Sequence, residues 1–322
     1  MRWRERLERG FFLVERVVTA LLYSWCVARE RFGRGARVPI LMYHQVGDPL
    51  RGVRACQDCV SPGCFTRQLR AILRAGYRVI SLGQLVRWLD ASPDALKRCV
   101  VLTFDDGFRG QFRNAYPVLR RYGVPATFFL IAGYIGTDTF FPHLGLAGRP
   151  DGGRDGALSD WRPLSWDEAK GLARNGMEIG SHSVSHRSLG RMGRDEAAAE
   201  VRRSKEILEE RLGIRVEGFA YPFGSRAYRD FDRGVQELLR EAGYRVACTT
   251  VVGRNSGGAD RLALRRIPVE EADGPFRIRC KLVGAYDWVG AVKALWQRLV
   301  PREESVDLEL AAPQASARGS AS

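Results

Sequence analysis

Two short segments of the chain combine carboxylates and imidazoles at a spacing that suits metal-dependent hydrolysis. Residues 103–107 read Thr-Phe-Asp-Asp-Gly, and residues 182–186 read His-Ser-Val-Ser-His. Each follows a largely apolar run, at 99–102 and 177–180, so each is expected where a buried strand opens into a loop. Two adjacent carboxylates and two imidazoles can bind a divalent cation and leave one carboxylate to spare. A metal-dependent hydrolase needs this set of groups.

The segments that carry these groups alternate between strand-like and helix-like patterns. Strands are predicted at residues 39–44, 77–82, 100–105, 126–131, 178–182, 217–221, 245–250 and 262–269. Helices are predicted around residues 65–73 and at 114–122, 166–175, 194–212 and 231–242. A glycine suited to a left-handed cap follows these or neighbouring helical stretches at Gly76, Gly123, Gly176, Gly213 and Gly243. This alternation predicts an α/β fold of parallel strands with right-handed crossovers.

The positions of the polar residues favour a (β/α) barrel over a doubly wound sheet. His44, the Asp-Asp pair, the two imidazoles and residues 221–224, Tyr-Pro-Phe-Gly, all fall at the carboxyl ends of different predicted strands. A barrel gathers its active site at that end. With 322 residues and 45% hydrophobic content, the chain is long enough for one main domain of this kind with short extensions.

The chain is strongly basic, with a formal charge of +14 and a pI near 9.9. Most of this charge comes from arginines scattered through the predicted helices, which favours a soluble protein or a nearby anionic surface over base recognition. The sequence has no zinc finger, RNA-binding aromatic motif or basic-region heptad. We therefore predict no nucleic-acid partner.

Residues 1–37 form a basic amino-terminal segment. Its uncharged run, residues 17–28, is too short for a spanning helix of about twenty residues, and no signal-peptide cleavage pattern follows it. Two alternatives stay open: an amphipathic helix on an anionic membrane face, or a helix packed on the domain. We predict a cytoplasmic protein or one peripheral at the inner membrane, with an anchored extracytoplasmic form as the remaining alternative.

The seven cysteines fall into two groups. Four stand alone in apolar stretches and are predicted to be buried thiols in a reducing compartment: Cys26, Cys99, Cys248 and Cys280. Cys56, Cys59 and Cys64 have spacing that suits a metal or a disulfide, but no fourth ligand with zinc-like spacing follows. A structural or incidental role is therefore predicted for these three.

The two opening segments resemble the first and second motifs of the polysaccharide deacetylase family, the carbohydrate esterases of family four with a NodB-like domain. Residues 220–224, Ala-Tyr-Pro-Phe-Gly, resemble a variant of the third motif. The resemblance spans about residues 38–269 and implies a distorted (β/α) barrel of about seven parallel strands. It also implies removal of N-acetyl groups from amino sugars. By position, Asp106, His182 and His186 would bind the metal, and Asp105 would act as general base.

The family also uses a general acid, usually a late histidine, yet no histidine follows His186. The strand Ile40-Leu41-Met42-Tyr43-His44 resembles the corresponding element of the circularly permuted branch, which includes the deacetylases of poly-β-1,6-N-acetylglucosamine. The first and last strands of a closed barrel are neighbours, so His44 is predicted to be the acid that protonates the leaving amine.

The third motif departs from the family pattern. Ala220 replaces an arginine that orients the catalytic Asp in many members, and Arg266 is our candidate replacement because it closes another strand. Phe223 replaces a more usual Tyr, and the resemblance implies that its backbone N–H stabilises the oxyanion. Tyr221 in the same motif is predicted to contribute to oxyanion or substrate binding.

The long loop at residues 133–164 carries aromatic residues that suit sugar faces. Trp161 is predicted to be a sugar platform, with a loop anchor as an equal alternative, and His143 is predicted to face solvent. Beyond the loop, we divide the chain into the amino-terminal segment 1–37, a deacetylase domain at 38–285, an amphipathic helix at 286–301 and a disordered tail at 302–322.

We therefore predict a metal-dependent hydrolase that removes N-acetyl groups from amino sugars of a polysaccharide or glycoconjugate. Zinc is the expected cofactor, although the ligand set also accepts Co, Ni or Fe. The expected partner is an N-acetylated glycan, with peripheral membrane contact through residues 1–37 as a further option. The alternatives are an amidase or cyclic-imide hydrolase on the same barrel, and a glycan-binding protein that has lost catalysis.

Overall fold

Eight parallel strands form the centre of the molecule. The computed structural model describes residues 2–32, 35–49, 59–91, 93–145, 158–226 and 229–299. Its strands are β1 Ile40–Tyr43, β2 Arg78–Ile80, β3 Cys99–Phe104, β4 Thr127–Leu130, β5 Glu178–Ser181, β6 Gly218–Ala220, β7 Val246–Val252 and β8 Leu264–Pro268. Each of these strands lies within or close to a predicted one, with shorter bounds at most ends.

Seven of the strands close into a barrel, as predicted. The pairing runs β1-β8-β7-β6-β5-β4-β3 and returns from β3 to β1. One edge of β3 bonds β1, whereas the other edge bonds β2 along its first half and β4 along its second half. The barrel is therefore distorted at its amino end, where β2 is inserted beside β3 and outside the closed ring.

Helices surround this barrel. They are α1 Arg2–Phe32, α2 Pro62–Arg74, α3 Leu82–Ala91, α4 Tyr116–Tyr122, α5 Trp166–Arg174, α6 Arg194–Leu212, α7 Arg233–Glu241, α8 Pro275–Val283 and α9 Trp288–Leu299. All five glycines predicted to adopt a left-handed conformation after helical stretches have positive φ, between 62° at Gly123 and 81° at Gly243. Helices α3 and α8 were not predicted from the sequence.

Strand residues alternate between two apolar clusters, because successive side chains point to opposite faces of a sheet. Ile40, Val101 and Leu264 belong to an inner cluster, to which α3 adds Leu85 and Leu89. The residues between them pack outward against the helices, for example Leu41 and Tyr43 of β1, Leu102 and Phe104 of β3, and Ile267 of β8. Helix α3 therefore packs with the barrel interior, while the polar residues that follow the strands lie at the carboxyl end.

The chain ends and the cysteines follow the predictions in part. The carboxyl-terminal helix α9 lies within the predicted range 286–301, and the predicted tail at 302–322 lies outside the described residues. Among the described helices, none is both long and apolar enough to cross a bilayer. Six cysteines are buried free thiols, Cys59 and Cys64 among them, and Cys56 lies outside the described residues.

Candidate active site

The alternation of the strands directs three polar side chains into the carboxyl mouth of the barrel. His44 follows β1, Asp105 follows β3, and Arg266 lies in β8, each in step with the inner residues of its strand. Strands β3 and β8 are the two neighbours of β1 in the ring. Closure of the barrel therefore brings together residues that are more than 160 positions apart in sequence, as in the Asp105–Arg266 contact.

Asp105 forms a buried, two-pronged ion pair with Arg266. Nη1 and Nη2 of Arg266 donate to Oδ1 and Oδ2 of Asp105, both at 2.6 Å. Nε of Arg266 donates to the Thr249 carbonyl at 2.9 Å, and the side chain is fully buried. Burial by itself would raise the pKa of the Asp105 carboxyl, but the guanidinium outweighs it, so the pKa is lowered. Arg266 thus occupies the place proposed for it when Ala220 was found in the third motif.

His44 lies beside the same carboxylate. Its Nε2 is 4.0 Å from Oδ2 of Asp105, and its side chain is 23% exposed at the barrel mouth. Gln111 fixes the backbone around this pair, because its side-chain amide donates both to the His44 carbonyl, at 3.0 Å, and to the Asp105 carbonyl. Sequence reasoning did not identify Gln111, which is buried at the start of a helical turn at 111–115.

Asp106, His182 and His186 form a compact group of metal-ligand type. Oδ1 of Asp106 lies 3.6 Å from Nε2 of His182 and 3.5 Å from Nε2 of His186. One ligand atom from each residue lies within 4.8 Å of the others, and this is the one such group found among the described residues. The group could therefore hold one cation through one atom of each residue.

The protonation states of the imidazoles suit a cation. Nδ1 of His182 lies 2.7 Å from the Ala220 carbonyl, which can only accept, so Nδ1 carries the proton and Nε2 presents its lone pair. Burial lowers the pKa of His182 to about 4, and burial together with neighbouring histidines lowers the pKa of His186 well below its usual value. Both rings are therefore neutral at pH 7. The residues present fit a divalent metal.

Glu200 of α6 holds the loop that presents the two histidine ligands. Its carboxylate accepts from the backbone N–H groups of Val184 and Ser185, at 2.8 and 3.0 Å, and from the Ser185 hydroxyl at 2.8 Å. The hydroxyl of Ser183 accepts from the His186 N–H at 2.9 Å. These bonds replace regular secondary structure in a short, partly buried turn. No motif marked Glu200 in the sequence, because it lies fourteen positions beyond the second motif.

Unusual backbone conformations concentrate at the site. Asp106, Ser183, His186 and Phe223 are non-glycine residues with positive φ, between 59° and 75°. Among the described residues, only two others share this conformation, Arg98 and Arg229. Each such residue costs about 1–3 kcal/mol in backbone strain and persists where surrounding contacts enforce it. The strained positions coincide with the residues that line the site, as expected where the conformation of a loop is set by the groups it must position.

His143 does not face solvent as predicted. Its Nε2 lies 3.7 Å from Oδ2 of Asp106, and its ring lies 4.5 Å from that of His186 and stacks on Phe141. Burial, followed by the nearby His44 and His182, lowers its pKa to about 3, so it is neutral. The short helical turn Pro142–Leu144 brings this third imidazole to the ligand group. Its position in a long polar loop gave no signal of this contact.

Two predicted substrate-binding side chains are buried elsewhere. Tyr221 is fully buried, stacks on Phe231 and donates its hydroxyl to the Leu262 carbonyl at 2.8 Å. It follows Ala220 by one position, so the alternation points it outward, and the prediction for its side chain was wrong. Trp161 is also fully buried and donates to the Asp48 carbonyl at 3.2 Å, so it is the loop anchor and not a sugar platform.

Phe223 lies next to the ligand group. Its ring is 5.0 Å from that of His186, and its carbonyl accepts from the Thr250 hydroxyl at 2.5 Å. Its φ of 59° turns the backbone sharply between Pro222 and Gly224. The structure therefore places Phe223 beside the metal-ligand group, where the third motif was expected.

Comparisons with known proteins agree with this architecture. The family model described as polysaccharide deacetylase matches residues 92–247. A putative polysaccharide deacetylase of Bacillus subtilis, YxkH, is 25% identical over 73% of this chain and 72% of its own length. A poly-β-1,6-N-acetyl-D-glucosamine N-deacetylase of Staphylococcus aureus is 46% identical, but over only 44 residues, which are 14% of this chain and 15% of that protein.

A solved structure extends the similarity beyond the residues of the family model. The Streptococcus pyogenes deacetylase PplD, solved in complex with acetate, is 25% identical and has a TM-score of 0.61 over 77% of this chain and 99% of that one. The barrel, the order of its motifs and the matched family model agree with one another. Residues 92–247 therefore form a polysaccharide deacetylase domain, the domain of hydrolases that remove N-acetyl groups from polysaccharides.

Proposed function

We propose that this protein is a metal-dependent N-deacetylase acting on N-acetylated amino sugars of a glycan. The observation that carries the proposal is the arrangement of two adjacent carboxylates. Asp105 is held by Arg266, while Asp106 lies against His182 and His186. The site thus combines a fixed base with a ligand group of one carboxylate and two neutral imidazoles, and both are needed to hydrolyse an unactivated amide.

Asp106, His182 and His186 would hold the cation, with zinc as the expected ion and Co, Ni or Fe as alternatives for this ligand set. When bound, the cation acidifies water and polarises the amide carbonyl. The protein supplies ligands that are already deprotonated and oriented, because burial keeps the imidazoles neutral and the Ala220 carbonyl fixes the tautomer of His182. Binding therefore needs little reorganisation of the site.

Asp105 accepts the proton of the attacking water. Its pairing with Arg266 keeps the carboxylate ionised and fixes both oxygens, and Oδ2 faces His44. The same pairing makes Asp105 a weak base, so proton transfer requires water that has been made more acidic. Arg266 therefore acts as a positioning residue. It fixes the orientation of the Asp105 carboxylate and lowers the basicity of that carboxylate.

His44 donates the proton that the leaving amine needs. A protonated imidazole 4.0 Å from Oδ2 of Asp105 is stabilised by that carboxylate, and its partial exposure leaves it open to substrate. The backbone N–H of Phe223 stabilises the oxyanion that forms at the amide carbonyl. Its proximity to His186 supports this assignment.

His143 acts as a positioning residue for Asp106. It approaches Oδ2, while His182 and His186 approach Oδ1 of the same carboxylate. An Nε2–H directed at Oδ2 would hold the Asp106 carboxylate in its present orientation. The stacking of His143 on Phe141 restricts its ring to this orientation.

Acetate release from a panel of N-acetylated glycans tests the proposal. We expect release from N-acetylglucosamine oligomers, with β-1,6-linked oligomers as the first choice because of the partial similarity to the staphylococcal enzyme. The Asp105→Asn variant should lose the activity while keeping its bound metal. If the metal-loaded protein releases no acetate from any glycan but hydrolyses small cyclic imides, the proposed substrate class is wrong.

A further inference from the structure

Helix α1 exposes an apolar stripe along one side. The stripe consists of Val14, Val17, Leu21, Trp25 and Phe32, whose spacing of three, four, four and seven residues places them on one helical face. Their exposure ranges from 52% for Val17 to 79% for Phe32, and they make up five of the seven large hydrophobic residues that are exposed in the described part of the chain. A soluble surface rarely carries so continuous an apolar patch without a use.

The opposite face of α1 is fixed to the barrel. Glu15 is buried and pairs with Arg277 of α8 at 2.8 Å, and the Thr19 hydroxyl accepts from the indole N–H of Trp288 at 3.3 Å. Cys26, farther along α1, packs with a buried cluster that includes residues of α8. Turning the stripe inward would leave the buried Glu15–Arg277 pair broken, which is costly. The stripe is therefore held outward by the fold.

The charges on α1 are sorted by face. Glu15 and Glu30 are the acidic residues of the segment 14–32, and both face the barrel, Glu30 through the hydroxyl of Tyr77. Three arginines of the same segment are exposed: Arg16, Arg29 and Arg31. The Arg29 guanidinium lies 5.2 Å from the Trp25 ring centre. The exposed side of α1 is thus an apolar stripe bordered by arginines, and the acidic residues face the barrel. This side complements a surface that has an apolar interior beneath an anionic outer layer.

The contacts of α1 also give its direction on the barrel. Glu15 meets the first turn of α8, which follows the carboxyl end of β8, whereas Glu30 meets Tyr77, which precedes β2 at the amino end. Helix α1 therefore runs along the side of the barrel. A surface beneath the stripe would lie parallel to the barrel axis, and the catalytic mouth would open sideways along that surface.

We propose that α1 docks this enzyme onto the anionic leaflet of a membrane. The stripe enters the boundary between headgroups and acyl chains, and the exposed arginines contact lipid phosphates. The net charge of +14 strengthens the attraction to such a surface. In this orientation the site faces glycan that lies close to the membrane. The docking does not depend on the proposed function, because none of the residues on the stripe belongs to the active site.

Cosedimentation of the full-length protein with extruded vesicles tests the docking. We expect binding to vesicles of 70% phosphatidylcholine and 30% phosphatidylglycerol, and at least tenfold weaker binding to pure phosphatidylcholine. The double variant Leu21→Glu/Trp25→Glu should bind the anionic vesicles at least tenfold more weakly than wild type. The matched control is Ala20→Glu/Ser24→Glu, which adds the same charge at exposed positions of α1 beside the stripe. This control should lose clearly less affinity.

Equal losses in the two double variants would mean that charge alone drives binding, and would overturn insertion of the stripe. Binding that is absent in wild type would overturn the docking altogether. A wild-type dimer in light scattering that Leu21→Glu converts to a monomer would assign the stripe to a second copy of this chain instead. Acetate release from a soluble oligosaccharide should be the same in all variants, so failure of docking is distinguishable from failure of the proposed deacetylase function.

Discussion

Asp105 and Asp106 are neighbours in sequence and equally buried, but the fold gives them opposite surroundings. Asp105 is paired with a fixed cation, the Arg266 guanidinium, which lowers the pKa of the carboxyl. Asp106 instead lies among three imidazoles, of His143, His182 and His186, each of which burial keeps neutral. The protein thus supplies a positively charged partner for Asp105. For Asp106, the positive charge would come from a bound cation.

This difference predicts separate defects when each carboxylate is neutralised. Asp106→Asn should abolish acetate release by removing a metal ligand, and should lower cation affinity by more than the roughly 10–100-fold expected for loss of an outer partner. Asp105→Asn should lower the rate by about 100-fold to 10,000-fold with cation affinity nearly unchanged. Metal titration against a chelator, together with acetate release, measures both. Loss of metal in Asp105→Asn would contradict the separate roles of the two carboxylates.

The contribution of the buried Asp105–Arg266 ion pair to stability can be tested by removing first one partner and then both. Arg266→Met should destabilise the protein by about 3–5 kcal/mol, because it leaves the Asp105 carboxylate buried without its cation. The double variant Arg266→Met/Asp105→Asn should recover much of that loss, since no uncompensated charge remains. Urea unfolding of the metal-free proteins gives the comparison. A double variant no more stable than Arg266→Met would show that packing, not charge, holds this region together.

His44 is predicted to act on the Asp105 side of the site without supporting the fold. Because its side chain is 23% exposed, His44→Gln should leave the melting temperature and the cation affinity unchanged. Its kcat should fall by at least about 100-fold, as expected for loss of a general acid. A substrate with a better leaving group than an alkyl amine should recover part of the rate. Equal losses on both substrates would argue for a structural role.

His143 gives the smallest predicted effect and sharpens the Asp106 side of the comparison. His143→Ala should weaken cation binding by about 10–100-fold with little change in unfolding free energy. His143→Gln, which can still donate to Oδ2 of Asp106, should restore most of the affinity. The visible spectrum of the cobalt-loaded protein should show that the coordination number of the cobalt is the same in both variants as in wild type. A change in that number would make His143 a ligand.

Local motifs were enough to predict the ligand group, because its residues follow strands that are evident in the sequence. The partner of Asp105 was predicted from its place in a strand, although the contact spans 161 positions. For Trp161 the sequence left a sugar platform and a loop anchor open, and burial decides for the anchor. Tyr221 was misplaced because its motif suggested a binding role, while side-chain direction decides it. For Tyr221 the signal was available, since strand alternation points it away from the barrel interior that Ala220 faces.

Sequence reasoning missed helices α3 and α8, because the apolar periodicity of each helix is obscured in the sequence. Helix α8 carries Arg277 and Lys281 on its inner side, where they pair with Asp273 and Glu15. These charged residues interrupt the apolar periodicity that normally identifies a packed helix. Only Ser81 separates the end of β2 at Ile80 from the start of α3 at Leu82, so the predicted strand at 77–82 ran into the first residue of the helix. Tertiary pairing, not local sequence, defines both elements.

Closure of the ring through β1 has a consequence for synthesis of the protein. His44 leaves the ribosome early, whereas Arg266 in β8 follows more than 200 residues later. Until β8 joins β1, a nascent or truncated chain has the Asp105 carboxylate without the Arg266 guanidinium. The buried Asp105–Arg266 pair therefore forms only once the barrel is complete.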